Sequence, residues 1–210
     1  MDLILRNARV RESAQRVDIG VNNGVVARIA SKISTRARQA IDCAGKLVSP
    51  PFTDIHVHLD AALTVGQPRF NRSGTLIEGI EIWAERKQTL AFDDVKRRAT
   101  LAVKWELAHG VTRIRSHVDV CDPQLTAVKA LLEVKKEFAG LVDIQLVAFP
   151  QDGVYAFPNG ESLMERAMDL GRHHDPGRDR RGQRLPLRHH AAEQLLDPAR
   201  LQTRPHGHAH

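Results

Sequence analysis

The sequence predicts an α/β fold: a small β-sheet over residues 1–50, then the first three β/α units of an incomplete (β/α)8 barrel over residues 51–171. Residues 172–210 are expected to form a disordered tail. Three observations predict this. Apolar and polar residues alternate with period two in short runs through the first fifty positions, which is the pattern of half-buried strands. From residue 52 strand-like runs alternate with helical ones, the rhythm of a parallel sheet with right-handed crossovers. Residues able to carry chemistry fall at the ends of those later strands, where a (β/α)8 barrel places its site. A closed barrel needs eight units in typically ~250 residues, and only three are visible.

In chain order, Leu3 to Val10 is the first strand and Arg16 to Val21 the second. Asn22-Asn23-Gly24 is hairpin turn chemistry leading into Val25 to Ala30. Ile41-Asp42 and Leu47-Val48 extend the pattern, with Gly45 at a turn. So small a sheet is not expected to complete a core alone.

Phe52 to His58 reads as the first strand of the second region, entered from Pro50-Pro51 and left through a polar loop to Gly74. Leu76 to Thr89 is helical, with Ile77, Ile80 and Ala84 along one stripe. A second helix is expected with Asp93 as N-cap, Phe92 as staple partner and Gly110 as stop after His109. Val111 to Val120 is the next strand. Asp122, with Pro123 at the first helical position, is expected to open a helix through Phe138 that Gly140 closes. Asp143 to Phe149 is the third strand, and Asn159 caps a helix that ends near Gly171.

Composition narrows the function classes. An apolar fraction of 42% suits a globular chain, and no run approaches the roughly 18 apolar residues of a membrane span. Met1-Asp2-Leu3 runs straight into strand pattern, so no signal peptide is expected. Cys43 and Cys121 are the only cysteines and are far apart, which fits a reducing, cytoplasmic setting. The net charge of +6 is uneven: residues 172–210 carry +4, leaving +2 for the rest. A nucleic-acid partner is therefore not expected for the folded part, and neither is a membrane.

The motif that organises the chain is Asp54-Ile55-His56-Val57-His58-Leu59-Asp60. Side chains on a strand repeat every two residues, so His56 and His58 are expected on one face, as half of a metal site. His117 and Asp119 stand in the same relation on the next strand. They read either as partners of such a site or as a hydrogen-bonded network of the barrel interior, the second being the plainer reading. Gln151 closes the third strand with an amide that both donates and accepts. Trp83 and Trp105 read as packing residues, and Glu81, Glu85, Arg86 and Lys87 as a solvated charged helix face.

Gly45-Lys46-Leu47-Val48-Ser49-Pro50-Pro51-Phe52, followed by Asp54, His56, His58 and Asp60, resembles the entry motif of the amidohydrolase superfamily. Further segments resemble its cytosine deaminase branch: Gly66-Gln67-Pro68, Asn71 to Leu76, Glu78 to Glu81, Trp83 to Lys87, His117 to Val120 and Phe149-Pro150-Gln151. The resemblance runs from Met1 to about Gly171. It implies that His56 and His58 are ligands of one divalent metal ion, iron or zinc. It also implies that Gln151 binds a pyrimidine-like base, with Phe149 and Leu76 as apolar pocket walls. The implied reaction is hydrolysis of a carbon–nitrogen bond in a small heterocycle, cytosine and water giving uracil and ammonia. Isocytosine and s-triazines are the alternative substrates, and a homo-oligomer is compatible with the intact protein. In the family the remaining ligands, the proton-shuttling acid and the companion strands of the small sheet come from later sequence, beyond residue 171.

Residues 172–210 break the pattern. They hold eight Arg, seven His and four Pro but no Val, Ile, Phe, Tyr, Trp or Lys, where a fourth apolar strand is due. The expectation is a frameshifted, non-native tail on an inactive, truncated fragment. A basic nucleic-acid binder is the competing class that this tail alone would support.

Overall fold

The computed structural model describes residues 1–11 and 13–173, the last two by backbone alone. The disorder and frameshift expected of the tail lie outside the described residues. The chain divides into two compact units, Met1–Pro51 and a second beginning at Phe52.

The first unit is a four-stranded sheet of β1 (Leu3–Ala8), β2 (Val17–Asn22), β3 (Val25–Ala30) and β4 (Gln39–Asp42), ordered β3-β2-β1-β4. β1, β2 and β3 run antiparallel in sequence, whereas β4 joins β1 in parallel. The hairpin between β2 and β3 turns through Asn23 (φ 50°) and Gly24 (φ 74°), the left-handed pair a two-residue turn requires. Alternation buries Ile4, Ala8 and Ile19 beside Ile33. Among the described residues of this unit the buried carboxylate is Asp18: Ile33 N–H and Asn7 N–H donate to it, and Arg6 pairs with it at 2.8 Å.

The second unit is a parallel sheet of β5 (Phe52–Val57), β6 (Val111–Asp119) and β7 (Asp143–Phe149), in that order. Four helices alternate with it: α1 (Leu76–Lys87), α2 (Phe92–Ala108), α3 (Thr126–Glu137) and α4 (Gly160–His173). α2 and α3 pack on each other and on β6, while α3 and α4 pack on β7. The core between these layers holds Val95, Ala99 and Val103 of α2, Ile114 and Val118 of β6, Leu131 and Val134 of α3, and Ile144 of β7. This is the predicted α/β architecture, an unclosed barrel-like sheet with helices on its outer side.

Two predicted helix starts are corrected. α2 begins at Phe92 after Ala91, which makes no side-chain cap bond, so Asp93 sits inside the first turn and meets the helix dipole instead of capping. α3 begins at Thr126, not at Pro123. The Asp122 carboxylate accepts from Gln124 N–H (3.0 Å) and Thr126 N–H (2.7 Å), closing a turn that competes with the helix. Gly110 and Gly140, both at φ 86°, end α2 and α3 in the left-handed conformation that glycine adopts without strain.

α1 differs from the other helices. Thr75 caps it by accepting from Glu78 N–H, and Glu78 in turn accepts from Ser73 N–H at 2.6 Å. Yet α1 has no fully buried residue. Side-chain bonds tether it: Arg69 of the preceding loop pairs with Glu78 (2.7 Å) and Glu85 (2.9 Å), and Arg86 pairs with Asp94 of α2 (2.6 Å). Among the described residues no helix is long and apolar enough to cross a membrane.

Candidate active site at the strand ends

Parallel pairing aligns the C-terminal ends of β5, β6 and β7, and the rings of His56, His58, His117 and Phe149 lie together there. β5 is not a regular strand. Asp54 pairs with Ile114 and Val57 with Ser116, so β5 holds one extra residue in that interval. Such a bulge interrupts the pleat, and Ile55 and His56 are consequently both exposed. His58 follows the strand, where Leu59 N–H donates to Ser116 Oγ at 3.1 Å and anchors the departing chain.

The His56 and His58 rings nevertheless lie together, with centroids 5.4 Å apart. Two imidazoles on one tetrahedral ion, with metal–nitrogen distances of about 2.1 Å, bring their ring centroids to roughly 5.3 Å. The pair thus fits half of a metal site. His117 of β6 stacks on His56 at 4.1 Å and 22°, face against face, which is a packing relation and not that of a co-ligand. The Phe149 ring of β7 meets His58 (5.3 Å) and His117 (5.9 Å) edge-on. Among the described residues no three His, Cys, Asp or Glu side chains are gathered to hold a metal ion. Burial, and then the neighbouring His56, lower the His58 pKa against the opposing effects of the His117 backbone and Asp119. That favours the neutral imidazole, the form that ligates.

A polar network adjoins the ring cluster at the end of β6. Asp119, at the end of β6, is buried and accepts from Trp83 Nε1 (2.8 Å), Lys87 Nζ (2.9 Å) and Cys121 N–H (2.8 Å). Lys87 also reaches Asp152, beyond β7, at 2.5 Å, and lies 5.7 Å from the Phe157 ring. This corrects the solvated-face reading for Arg86 and Lys87, whereas Glu81 and Glu85 are exposed as that reading expects. The Lys87 side chain is only 9% exposed, and Arg86 is buried nearly as far against Asp94. Trp83 likewise does more than pack, since its indole N–H fixes a carboxylate. Burial pulls the Lys87 pKa down, but the hydrogen bond to Asp152 and the charge of Asp119 outweigh it, so the ammonium is favoured.

Asp60 lies on the other side of β6, buried, accepting from Asp119 N–H (2.8 Å) and Ala61 N–H (3.0 Å). Burial pushes its pKa up to about 7; the amide of Asp119 opposes the rise and the Asp119 carboxylate adds to it. Arg98 of α2 holds the loop from behind, donating to the carbonyls of Asp60 (2.9 Å) and Ala62 (2.5 Å).

Gln151 sits in the turn after β7, half-buried and next to Asp152. The turn is closed by Gly153 N–H on the Pro150 carbonyl and by Asp152 N–H on Cys121 Sγ. Leu76, at the first position of α1, is 73% exposed. A separate surface depression of about 430 Å3, lined by Thr112, Lys135, Leu141 and Asp143, lies at the opposite ends of β6 and β7 and shares no residue with the histidines.

A sequence profile of the amidohydrolase family matches residues 39–210, thus running past Gly171, where the motif resemblance stops. N-isopropylammelide isopropyl amidohydrolase of Pseudomonas sp. (strain ADP) is 37% identical over 175 residues, covering 81% of this chain and 43% of that protein. Among solved structures, 5-methylcytosine deaminase from Klebsiella pneumoniae, liganded with 5-fluorocytosine, superposes with a TM-score of 0.75 at 44% identity. That match covers 80% of this chain and 41% of the deaminase. N-isopropylammelide isopropylaminohydrolase from Burkholderia multivorans superposes with a TM-score of 0.67 at 29% identity, over 81% of this chain and 43% of that one. The chain spans less than half the length of each of these relatives.

Proposed function

Because the chain belongs to the amidohydrolase family, we propose that it carries the metal-holding first part of a hydrolase that cleaves a carbon–nitrogen bond in a small heterocycle. Cytosine is the proposed substrate type, giving uracil and ammonia. The observation that carries this reading is the pair of imidazoles 5.4 Å apart at the ends of parallel strands, within a ring cluster completed by His117 and Phe149.

His56 and His58 would hold one divalent ion, iron or zinc. Such an ion, when bound, lowers the pKa of a coordinated water toward neutrality and so makes a nucleophile available. The chain's own residues supply the setting. The Phe149 ring packs edge-on against His58, and burial lowers the His58 pKa, in the direction that favours the ligating form. Gln151 would present its amide to the amide-like edge of the pyrimidine, donating and accepting at once. His117 packs on the His56 ring, and the charge of Asp119 acts on His58. The proton-shuttling carboxylic residue expected beyond position 171 falls outside the described residues.

A second reading, an aminohydrolase of s-triazines, is favoured by the 37% identity to an enzyme named for N-isopropylammelide. One experiment addresses both. Zinc binding to the 210-residue chain is measured by calorimetry for the wild type, His56→Ala and His58→Ala, and amine release is then followed from cytosine and from N-isopropylammelide. Weak zinc binding lost in both variants supports the metal reading, and equal binding in all three overturns it. Turnover of one compound over the other chooses the substrate class. Binding without turnover of either would confine the reading to metal holding, the result expected of an inactive fragment. Where turnover is seen, Gln151→Ala should change the preference between cytosine and its analogues, because a site built to bond a substrate edge rejects poor matches through its own unpaired groups.

A further inference from the structure

Lys87 is a buried cation on a helix that buries no residue completely, and its two carboxylate partners come from different strand ends. Asp119 terminates β6, and Asp152 directly follows Gln151 in the turn after β7. The ammonium lies 2.9 Å from one and 2.5 Å from the other, with the Phe157 ring of the same post-β7 segment 5.7 Å away. Trp83, one helical turn earlier, donates to the same Asp119 oxygen. Both α1 side chains therefore converge on the sheet end, and Lys87 alone continues to the β7 turn.

Among the described residues the other hydrogen bonds of that turn are main-chain ones within its own segment, including Phe157 N–H on the Gly153 carbonyl at 3.1 Å, and one to Cys121. Asp152 N–H meets a sulfur at 3.4 Å, a weak acceptor, and Gly153 N–H closes on Pro150 within the turn itself. Where the segment returns to α4, Gly160 is required, since a Cβ there would stand 2.0 Å from the Val154 carbonyl oxygen. The Lys87–Asp152 pair is thus the charge-assisted bond that ties residues 151–152 to another element. Such bonds are about twice as strong as neutral ones, and more so where water is excluded.

We propose that Lys87 is a positioning residue, which sets the turn carrying Gln151 against the end of β6 and thereby aims the Gln151 amide. The proposal rests on the reading of Gln151 as the residue that binds the substrate edge. In this role Lys87 acts through the Asp152 turn and not on the reacting atoms. Its ammonium joins two carboxylates that would otherwise repel across the gap between strands.

The test uses the 210-residue chain with Lys87→Met, Asp152→Asn and the double variant, read by amide exchange and by the indole N–H resonance of Trp83. Asp152→Asn removes only the second half of the bridge, at a partly exposed position, and keeps the experiment decisive if Lys87→Met fails to fold. Exchange at residues 151–153 should quicken about tenfold or more in each single variant, while the β6–β7 ladder amides change no more than global stability does. The double variant should be no faster there than the faster single, because both act through one bond. The Trp83 resonance should move in Lys87→Met and stay in place in Asp152→Asn. Exchange at 151–153 unchanged in Asp152→Asn, or additive effects in the double variant, would overturn the proposal. Cytosine affinity, measured on the same proteins with and without Gln151→Ala, separates the two layers. Quickened exchange with no effect of Gln151→Ala leaves Lys87 its role and removes Gln151 from the site. A loss of affinity in Gln151→Ala that Asp152→Asn does not share removes Lys87 instead.

Discussion

Arg97 and Arg98 are neighbours on α2 and both pair with Asp94, which makes them a controlled comparison of what burial does to a charge. Arg97 reaches Asp94 at 2.7 Å with its side chain 70% exposed. Arg98 reaches the same carboxylate at 2.8 Å but is 2% exposed, and it also donates to the carbonyls of Asp60 and Ala62. Arg97→Ala removes one solvated pair and should cost about 0.5 kcal/mol or less. Arg98→Met keeps the stem's volume but leaves two main-chain acceptors without their donor and takes one cation from Asp94. At about 1–3 kcal/mol per stranded group, less what Arg86 and Arg97 still give Asp94, the loss should be about 3–5 kcal/mol. Lysine at position 98 keeps the charge but cannot fork between Asp94 and the two carbonyls, so it should restore only part of that. Urea unfolding of the four proteins measures the differences, provided the slope with denaturant is unchanged. The reasoning fails if Arg98→Met costs under about 1 kcal/mol, or if Arg97→Ala costs as much as Arg98→Met.

Other outcomes follow from the same packing. The Asp60 carboxyl is raised from 3.8 to about 7, so between those values the folded chain holds a proton that the unfolded chain has released. Its contribution to stability is therefore fully present below pH ~4 and is lost as pH rises to about 7, on the order of 4 kcal/mol over that whole span; unfolding free energies at pH ~5 and ~8 should show about 3 kcal/mol of that fall, which Asp60→Asn flattens, and an equal fall in both proteins would contradict it. Burial pushes the Cys121 thiol up to about 12, whereas Cys43 is partly exposed. A thiol reagent at neutral pH should label Cys43 first and reach Cys121 only on unfolding, and rapid double labelling would show that the β6 end opens. Thr75→Ala removes the α1 cap and should cost about 1 kcal/mol by thermal unfolding, whereas no change would show that the Glu78–Ser73 bonds hold the helix start alone.

The elements of the fold were legible because each is written in a single period. Alternation marked Leu3 to Val10 and Val25 to Ala30, and the observed β1 and β3 lie within those spans. The third strand, Asp143–Phe149, has the bounds read from its pattern. What the pattern missed was local competition by side chains. Asp122 followed by proline is a good helix opening by composition, but its carboxylate found amides at 124 and 126 first and delayed α3 by a turn. The β5 bulge is equally invisible, since one extra residue changes pairing without changing composition. Even so, the His56 and His58 rings come together, with centroids 5.4 Å apart, although the bulge includes His56.

The candidate site was legible in its imidazoles and not in its cations, and the reason lies in how charged helix faces are read. Glu81, Glu85, Arg86 and Lys87 look like a solvated stripe when counted as charges. Counted by spacing from Ile80, however, Trp83, Ala84 and Lys87 stand at i+3, i+4 and i+7, the positions of one helix face. Arg98 obeys the same rule on α2, three residues after the buried Val95 and one before the buried Ala99. Both cations thus occupy positions that the helical period assigns to the interior. A long basic side chain at such a position has two outcomes: its head reaches water along an apolar stem, or it finds anions inside. Which one occurs depends on whether a carboxylate or a bare carbonyl waits at the end of the stem. Here the parallel strands supply them, Asp119 and Asp152 for Lys87, and the Asp60 and Ala62 carbonyls for Arg98. Those partners are more than thirty residues away in sequence, except Asp94, so no local pattern contains them. The period alone could have flagged the two cations as interior, and only the sheet's register could say what they hold.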